Sequence, residues 1–465
     1  MINLALVKKC PSVKKELSLR DSLPLITDTR KYHHPSAFVA IPGMKVNPLD
    51  MIDGLLEKGC PVVFYQQDEA NDKKAKSLHE KFPKSEFIPV SDSVTFLQEI
   101  SHEHIKEWKT KNHRNTVFAI SGSNGKTTHK EMLSHILKTI LPGKVVATEK
   151  NNNNHLGVPL TLLGVHEGTE IVVLELGSNH PGEIKVLCDI ALPTAGLTTN
   201  IGATHLEFFG TEEKVFHEEA YLFYAVKDVT DGKGFFLQNV DDQFLATLPK
   251  TAGSIPYGEK HQALAKISYT DNGAQLIYEG KTYSVHNDAI TGKHNKLNLI
   301  TCSFIAHHFH PELSSEITKA AASFTPTRNR SEWIEFENRA VFLDAYNANP
   351  SSMKAALEGF KESVIQKGLN LKEACVVLGD MNELGDSSPE YHREVGSFVK
   401  ELGFTNVYFV GRFSKYYQES CPVGQTRTSS AEFKTEYRNE CLKKYQIHFI
   451  KGSRSLQLES LFDIT

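Results

Sequence analysis

The chain has 465 residues, 40% apolar and 23% charged, with a formal net charge of −4. That length suggests about three domains of an ordinary globular protein, and so slight an acidity gives no case for a nucleic-acid or polyanion surface. Seven scattered cysteines without a C-x-x-C pair argue against a disulfide framework or a zinc site. No stretch approaches the ~20 apolar residues of a spanning helix, and the first apolar run is too short for a signal segment, so a cytoplasmic location is expected.

In chain order, residues 1–100 read as a small α/β domain. Ala37–Ile41 is a strand ending at Pro42-Gly43, Met51–Lys58 a helix, and Pro61–Tyr65 a second strand. Asp28-Thr29-Arg30 lies before them in a polar loop that composition alone makes a solvated turn. Residues 101–115 are polar and charged and read as a linker or an exposed helix leading into a central domain, 101–323.

That domain opens on the most informative stretch of the chain. Val117–Ile120 is a buried strand, Ser121-Gly122-Ser123-Asn124-Gly125 a glycine turn, and Lys126-Thr127-Thr128 begins a helix with Met132, Leu133, Ile136, Leu137 and Ile140 on one face. Strand, glycine turn, lysine, hydroxyl and helix make a phosphate-binding loop. Glycines let backbone N–H groups close on phosphate oxygens, the helix amino end adds positive potential, Lys126 supplies a point charge, and Thr127 offers a hydroxyl to Mg²⁺. Only Ser123 and Asn124 separate Gly122 from Gly125, two residues fewer than the usual pattern has at that place.

Further on, Lys144–Ala147 is a short strand, and four asparagines, Asn151–Asn154, form a turn region. Ile171–Leu176 is a strand that carries Glu175 near its carboxyl end, where a buried carboxylate calls for a metal or a cation. Gly196–Asn200 leads into a loop with His205, which by itself reads as a capped or surface histidine. Beyond Thr230 come short strands near 234–237, 265–269, 275–278 and 282–285, several joined by glycine turns. Gly292-Lys-His-Asn295 opens a helix over Leu297–His307. From 324 to 465 the strands Val341–Leu343, Ala374–Leu378, Val407–Val410 and Ile447–Ile450 alternate with helices over Ser352–Ile365, His392–Leu402 and Ala431–Tyr445. This is a parallel sheet with covering helices, whose ligand edge is the carboxyl end of its strands.

Several segments, in order, resemble the Mur ligase family. Ser121–Thr128 is similar to its T-G-[ST]-N-G-K-T, and Asn151–Pro159 to its N-x-N-N-x-x-G-x-P. Leu174–Ile184 resembles E-M-G-A-N-H-P-G-E-I, and Thr199–Glu207 resembles T-N-I-x-x-x-H-L-E. Asp344–Met353 resembles the D-x-Y-N-A-N-P-x-S-M of the branch that adds D-alanyl-D-alanine to UDP-N-acetylmuramoyl-tripeptide. Leu378–Gly385, His392–Gly396 and Lys451–Arg454 complete the set.

The resemblance implies an α/β protein of three domains: a small N-terminal α/β domain for the UDP end, a central P-loop ATPase with a parallel sheet, and a C-terminal Rossmann-like domain. It implies ATP and Mg²⁺ as cofactors, and the UDP-linked tripeptide and D-alanyl-D-alanine as substrates of a monomeric enzyme without nucleic-acid partners. Gly122, Ser123, Asn124, Gly125, Lys126, Thr127 and Thr128 would hold ATP phosphates, Asn295 and Arg330 would contact ATP, and Asp344 its ribose. Thr127, Glu175 and His205 would surround Mg²⁺. Thr29 and Arg30 would bind the uridine end, and Tyr346, Asn347 and Asn349 the dipeptide. Lys126, Glu175, His205 and Asn347 would carry the chemistry. One departure stands out: Glu219 occupies the place of a family lysine whose carbamate helps bind a second Mg²⁺, and is expected to substitute for it as an oxygen ligand. The rival readings are a sister ligase with another amino-acid substrate, a catalytically inactive nucleotide-binding homologue, and a small-molecule kinase.

Overall fold

A computed structural model describes residues 2–13, 22–43, 46–326 and 329–462; the outermost ends of the first and third predicted domains lie outside them. Three large sheets organise the chain. The first is parallel and four-stranded: Leu25–Ile26, Ala37–Ala40, Val62–Gln66 and Glu86–Val90. Its middle strands are unbroken apolar runs because both faces are covered.

The second sheet has nine strands. Its order from one edge is Val145–Ala147, Ile171–Glu175, Thr116–Ser121, Ala195–Thr198, Phe235–Asn239, Ser254–Gly258, Ala265–Thr270, Gly273–Tyr278 and Lys281–His286. It is parallel through Ala265–Thr270 and finishes in two antiparallel steps. In Ala265–Thr270 buried and exposed residues begin to alternate, as in a strand with one wet face. The phosphate-loop strand Thr116–Ser121 sits between strands that follow it in sequence on both sides. The strand order therefore reverses there, and a crevice opens at the carboxyl ends of the strands.

The third sheet has the order Glu332–Phe336, Arg339–Asp344, Ile447–Lys451, Ala374–Gly379, Val407–Val410 and Gln425–Arg427. The four predicted strands are present and mutually parallel. The sheet is not wholly parallel, however. Glu332–Phe336 pairs antiparallel with Arg339–Asp344 through Glu337-Asn338, both at positive φ, the backbone a two-residue hairpin needs. The predicted helix over Ala431–Tyr445 is interrupted by a π-helical turn, Tyr437–Cys441.

Of the two readings of 101–115, linker or exposed helix, the helix is present through Lys111, with one face buried. It is part of a continuous helix, Ser93–Lys111, capped by the Asp92 carboxylate on Thr95 N–H. Its first half (Phe96, Leu97, Ile100) packs in the core of the first sheet, and its second half (Ile105, Trp108) in that of the second. Central residues Ala203, Leu206, Phe209 and Val215 likewise lie in one apolar cluster with Met353, Phe360 and Phe449 of the third unit. Among the described residues, no helix is long and apolar enough to cross a membrane.

Candidate active site

The carboxyl-end loops of the second and third sheets face each other across a cavity of about 660 Å³. On the central side the phosphate loop is shaped by its glycines. Gly122 has φ 120°, and a Cβ there would lie 2.2 Å from Thr199 Oγ1. Gly125, at φ 80°, caps the helix Lys126–Ile140, so that the amino end of a 15-residue helix meets the cavity. The neighbouring loop holds this turn from behind. Asn200 O accepts from Ser123 N–H at 2.8 Å, Asn200 Oδ1 accepts from Asn124 N–H at 3.1 Å, and Thr199 Oγ1 donates to Asn124 O at 2.6 Å. Lys126 Nζ donates to the Gly122 carbonyl and lies 3.8 Å from Glu219 Oε1. Ser123, Asn124, Gly125, Lys126, Thr127 and Thr128 all line the cavity.

Glu175 ends its strand 2% exposed. Its Oε1 accepts from Thr127 Oγ1 at 3.0 Å and from Asn153 Nδ2 at 2.8 Å, while Oε2 is buried without a hydrogen-bond partner. A buried carboxylate oxygen left unpaired beside a hydroxyl is a hard oxygen donor set, and it fits Mg²⁺. Of the other two expected metal residues, His205 lines the same cavity and Glu219 lies beside the loop lysine. His205, at φ 52°, caps the short helix Leu206–Phe209, and its Nδ1 is bonded to Glu383 of the third unit; that contact holds the Glu383 carboxyl below its ordinary range. Glu219 Oε2 accepts from Gly122 N–H at 2.7 Å. Burial pushes the Glu219 carboxyl up, opposed by Lys126 and by that N–H. Among the described residues, no three His, Cys, Asp or Glu side chains converge as a metal cage.

The opposite wall is built on two adjacent parallel strands. Asp344 and Lys451 are register partners at their carboxyl ends and form an ion pair. Lys451 Nζ also donates to Asn347 O at 3.0 Å, and Asp344 Oδ1 accepts from Ser331 N–H at 3.2 Å. Asn349 caps the helix Pro350–Gln366 in a capping box with Ser352. Its Nδ2 donates to Asn124 Oδ1 at 2.6 Å, and Asn124 Nδ2 donates to Ser351 Oγ at 2.9 Å, so the two walls are clasped at the phosphate loop. The Arg330 guanidinium stacks on Tyr346, 3.8 Å from the ring centroid. Asn295, Arg330, Asp344, Tyr346 and Asn347 line the cavity, as does His294, whose pKa burial lowers to about 4.

Thr29 and Arg30 lie apart from this cavity. They sit in a 3-10 turn, Thr29–Lys31, capped by Asp28, whose carboxyl pairs with Arg30. Sequence reasoning missed the side chains that orient the site: Asn153 on Glu175, Asn200 behind the loop, Glu383 on His205, Ser351 in the clasp and Lys451 on Asp344. Their motifs were visible, but their partners lie far away in sequence.

Two family models match this chain: the Mur ligase middle domain over residues 120–306, and the Mur ligase, glutamate ligase domain over residues 329–438, together more than half of its length. The chain belongs to the Mur ligase family. Relatives of this Mur ligase include the UDP-N-acetylmuramoyl-tripeptide–D-alanyl-D-alanine ligase of Bacillus subtilis, 29% identical over 94% of this chain and 91% of that protein. The Escherichia coli protein of the same name is 27% identical over 94% and 92%. In fold the Mur ligase is similar to MurF from Acinetobacter baumannii, with TM-score 0.81 and 24% identity over 99% and 97% of the two chains. It is also similar to MurF from Thermotoga maritima solved with ADP, with TM-score 0.76 and 22% identity over 95% and 96%. The first matched domain contains the phosphate loop and Glu175, and the second contains Arg330 and the Asp344–Asn349 turn.

Proposed function

We propose that this Mur ligase is an ATP-dependent amide ligase that adds D-alanyl-D-alanine to UDP-N-acetylmuramoyl-tripeptide, a cytoplasmic step of peptidoglycan precursor synthesis. The observation that carries the reading is the clasp. The turn Asp344–Asn349, which resembles the dipeptide-adding branch, is hydrogen-bonded to the phosphate loop through Asn349 and Asn124, across one cavity. In this reading residues 1–100 hold the UDP end, 101–323 the ATP and 324–465 the amine, with the helix Ser93–Lys111 crossing the first boundary. The nucleotide-linked substrates support a cytoplasmic location for the reaction.

The chemistry follows from the problem to be solved. A carboxylate acylates poorly because oxide is a poor leaving group. The tripeptide carboxylate therefore attacks the γ-phosphorus of ATP, displacing ADP and forming an acyl phosphate. The dipeptide amine attacks the acyl carbon, the tetrahedral intermediate collapses, and phosphate leaves with the bonding pair as the amine loses its proton. Both reacting groups are anionic in the first step, so Lys126 and the amides of the loop must balance the charge that gathers on the phosphoryl oxygens. Glu175 and Thr127 would hold Mg²⁺, which when bound screens the phosphates and draws charge from them. In this reading Asn347, whose backbone carbonyl is held by Lys451, orients the amine, and the Asn124–Asn349 clasp supports the approach of amine and phosphate to one carboxylate.

Phosphate release from ATP in the presence of UDP-N-acetylmuramoyl-tripeptide tests the reading. Release that requires D-alanyl-D-alanine is the expected result. Release that a single amino acid sustains as well, or that needs no amine, would replace it with a sister-ligase or plain ATPase reading.

A further inference from the structure

The helix Glu212–Glu219 ends in two adjacent buried acids that face different loops. Glu218 Oε1 accepts from Ser178 Oγ at 3.0 Å and Ile184 N–H at 2.7 Å, and its Oε2 accepts from Gly182 N–H at 2.7 Å, so it ties down the loop that follows Glu175. Glu219 faces the other way. Its Oε2 accepts from Gly122 N–H at 2.7 Å, and its Oε1 lies 3.8 Å from Lys126 Nζ. Its backbone carbonyl accepts from Ser121 Oγ at 2.8 Å. The residue is 2% exposed, so water does not solvate its charge; the donors that replace water belong to the phosphate loop.

We propose that Glu219 is a positioning residue of the phosphate loop: a fixed internal anion that holds the Gly122 amide and Lys126 in place before the nucleotide arrives, and not a metal ligand. This rests on the ATP reading above. A metal ligand needs an oxygen free to coordinate and other ligands beside it. One Glu219 oxygen is engaged by an amide, and the other faces the Lys126 ammonium at 3.8 Å, a cation where a second metal would have to sit. A loop whose cation is already balanced is ordered but less attractive to a polyanion. Nucleotide binding then depends strongly on a metal held elsewhere, at Glu175, because that metal restores the missing positive charge.

Calorimetric titration of the full chain with ADP, with and without Mg²⁺, tests this through Glu219→Gln and Glu219→Ala. Glutamine keeps a carbonyl for the Gly122 amide and removes the charge. Metal-free ADP should therefore bind E219Q about three- to tenfold tighter than wild type, with the gain shrinking in high salt, while Mg²⁺-ADP affinity stays within about twofold. Alanine removes the acceptor too, and amide hydrogen exchange at Gly122–Asn124 should quicken. Loss of Mg²⁺-ADP affinity in E219Q with metal-free ADP unchanged would return Glu219 to the metal set and overturn the proposal, as would no change in either. Failure of wild type to bind ADP under any condition would fell the ATP reading along with it, so the two failures are distinct.

Discussion

Lys126 and Arg30 are both cations that a motif singles out, and the structure treats them in opposite ways. The Lys126 side chain is 13% exposed and has partners on two elements, the Gly122 carbonyl and the Glu219 carboxylate. The Arg30 side chain is 88% exposed, and its partner is Asp28, two residues away, whose carboxyl it holds down at about 2. The first cation is fixed before any ligand binds. The second, in the proposed function, is ordered only when the UDP-linked substrate arrives, at a cost of up to ~2 kcal/mol of side-chain freedom. Buried partners thus mark where the fold has prepared a charge for chemistry, whereas a local pair on the surface marks only a turn that stays in place.

Four experiments would break or sharpen that contrast. The largest effect belongs to Lys126→Ala, which should fold normally and lose turnover by at least ~10³-fold, because its charge acts on the transition state. A folded variant with near-normal turnover would mean that burial had prepared nothing.

Next comes acid stability, a direct reading of burial. His392 is fully buried, with Nδ1 on Ser388 O at 2.6 Å and Nε2 accepting from Met381 N–H at 3.1 Å; burial lowers its pKa from 6.5 to about 4. The unfolded chain therefore takes up this proton before the folded one does. The stability present above pH 6.5 is lost as pH falls from 6.5 towards 4, by up to ~3 kcal/mol from this group. Urea unfolding at pH 7 and pH 5 should show a larger loss for wild type than for His392→Gln, and equal losses would contradict the assignment.

The clasp should come third. Asn349→Ala and Asn124→Ala each remove the same neutral hydrogen bond, worth about 1 kcal/mol or a few-fold in rate, more if amine and phosphate sites separate. Each also loses a bond of its own, the helix cap at Asn349 and the Ser351 bond at Asn124, so the double variant should lose about 1 kcal/mol less than the sum of the two, and strictly additive losses would show that the two residues act apart. The smallest effect is expected at Arg30→Ala: a few-fold rise in KM for the UDP-linked substrate, with kcat and melting temperature unchanged. A drop in kcat instead would mean that Arg30 is part of a prepared site after all.

What the sequence disclosed was local. An apolar strand, two glycines, a lysine and an amphipathic helix are contiguous, so the phosphate loop could be read from its own residues, and the strands of the third sheet are short apolar runs between helices. What it concealed depends on distant pairings. His205 meets Glu383 across 178 positions, and Lys451 meets Asp344 across 107; no periodicity records either. The direction of Glu219 was equally hidden, because the metal expectation came from its place in a motif while its contacts come from the turn of a helix. The helix Ser93–Lys111 was obscured for another reason. Its apolar stripe is divided between two cores, and a boundary drawn at 101 splits it.

That divided helix also governs how the molecule comes apart. Phe96, Leu97 and Ile100 lie in one core with Leu163 of the central unit, while Leu206, Phe209 and Val215 lie in another with Met353 and Phe360. Neighbouring units therefore share side chains in place of an interface that could be peeled open. A central fragment, 101–323, would bare Leu163 on one flank and Phe209 with Val215 on the other, an invitation to aggregate. In a heating scan the intact chain should melt in a single cooperative step, since no unit can lose its structure without uncovering its neighbour's.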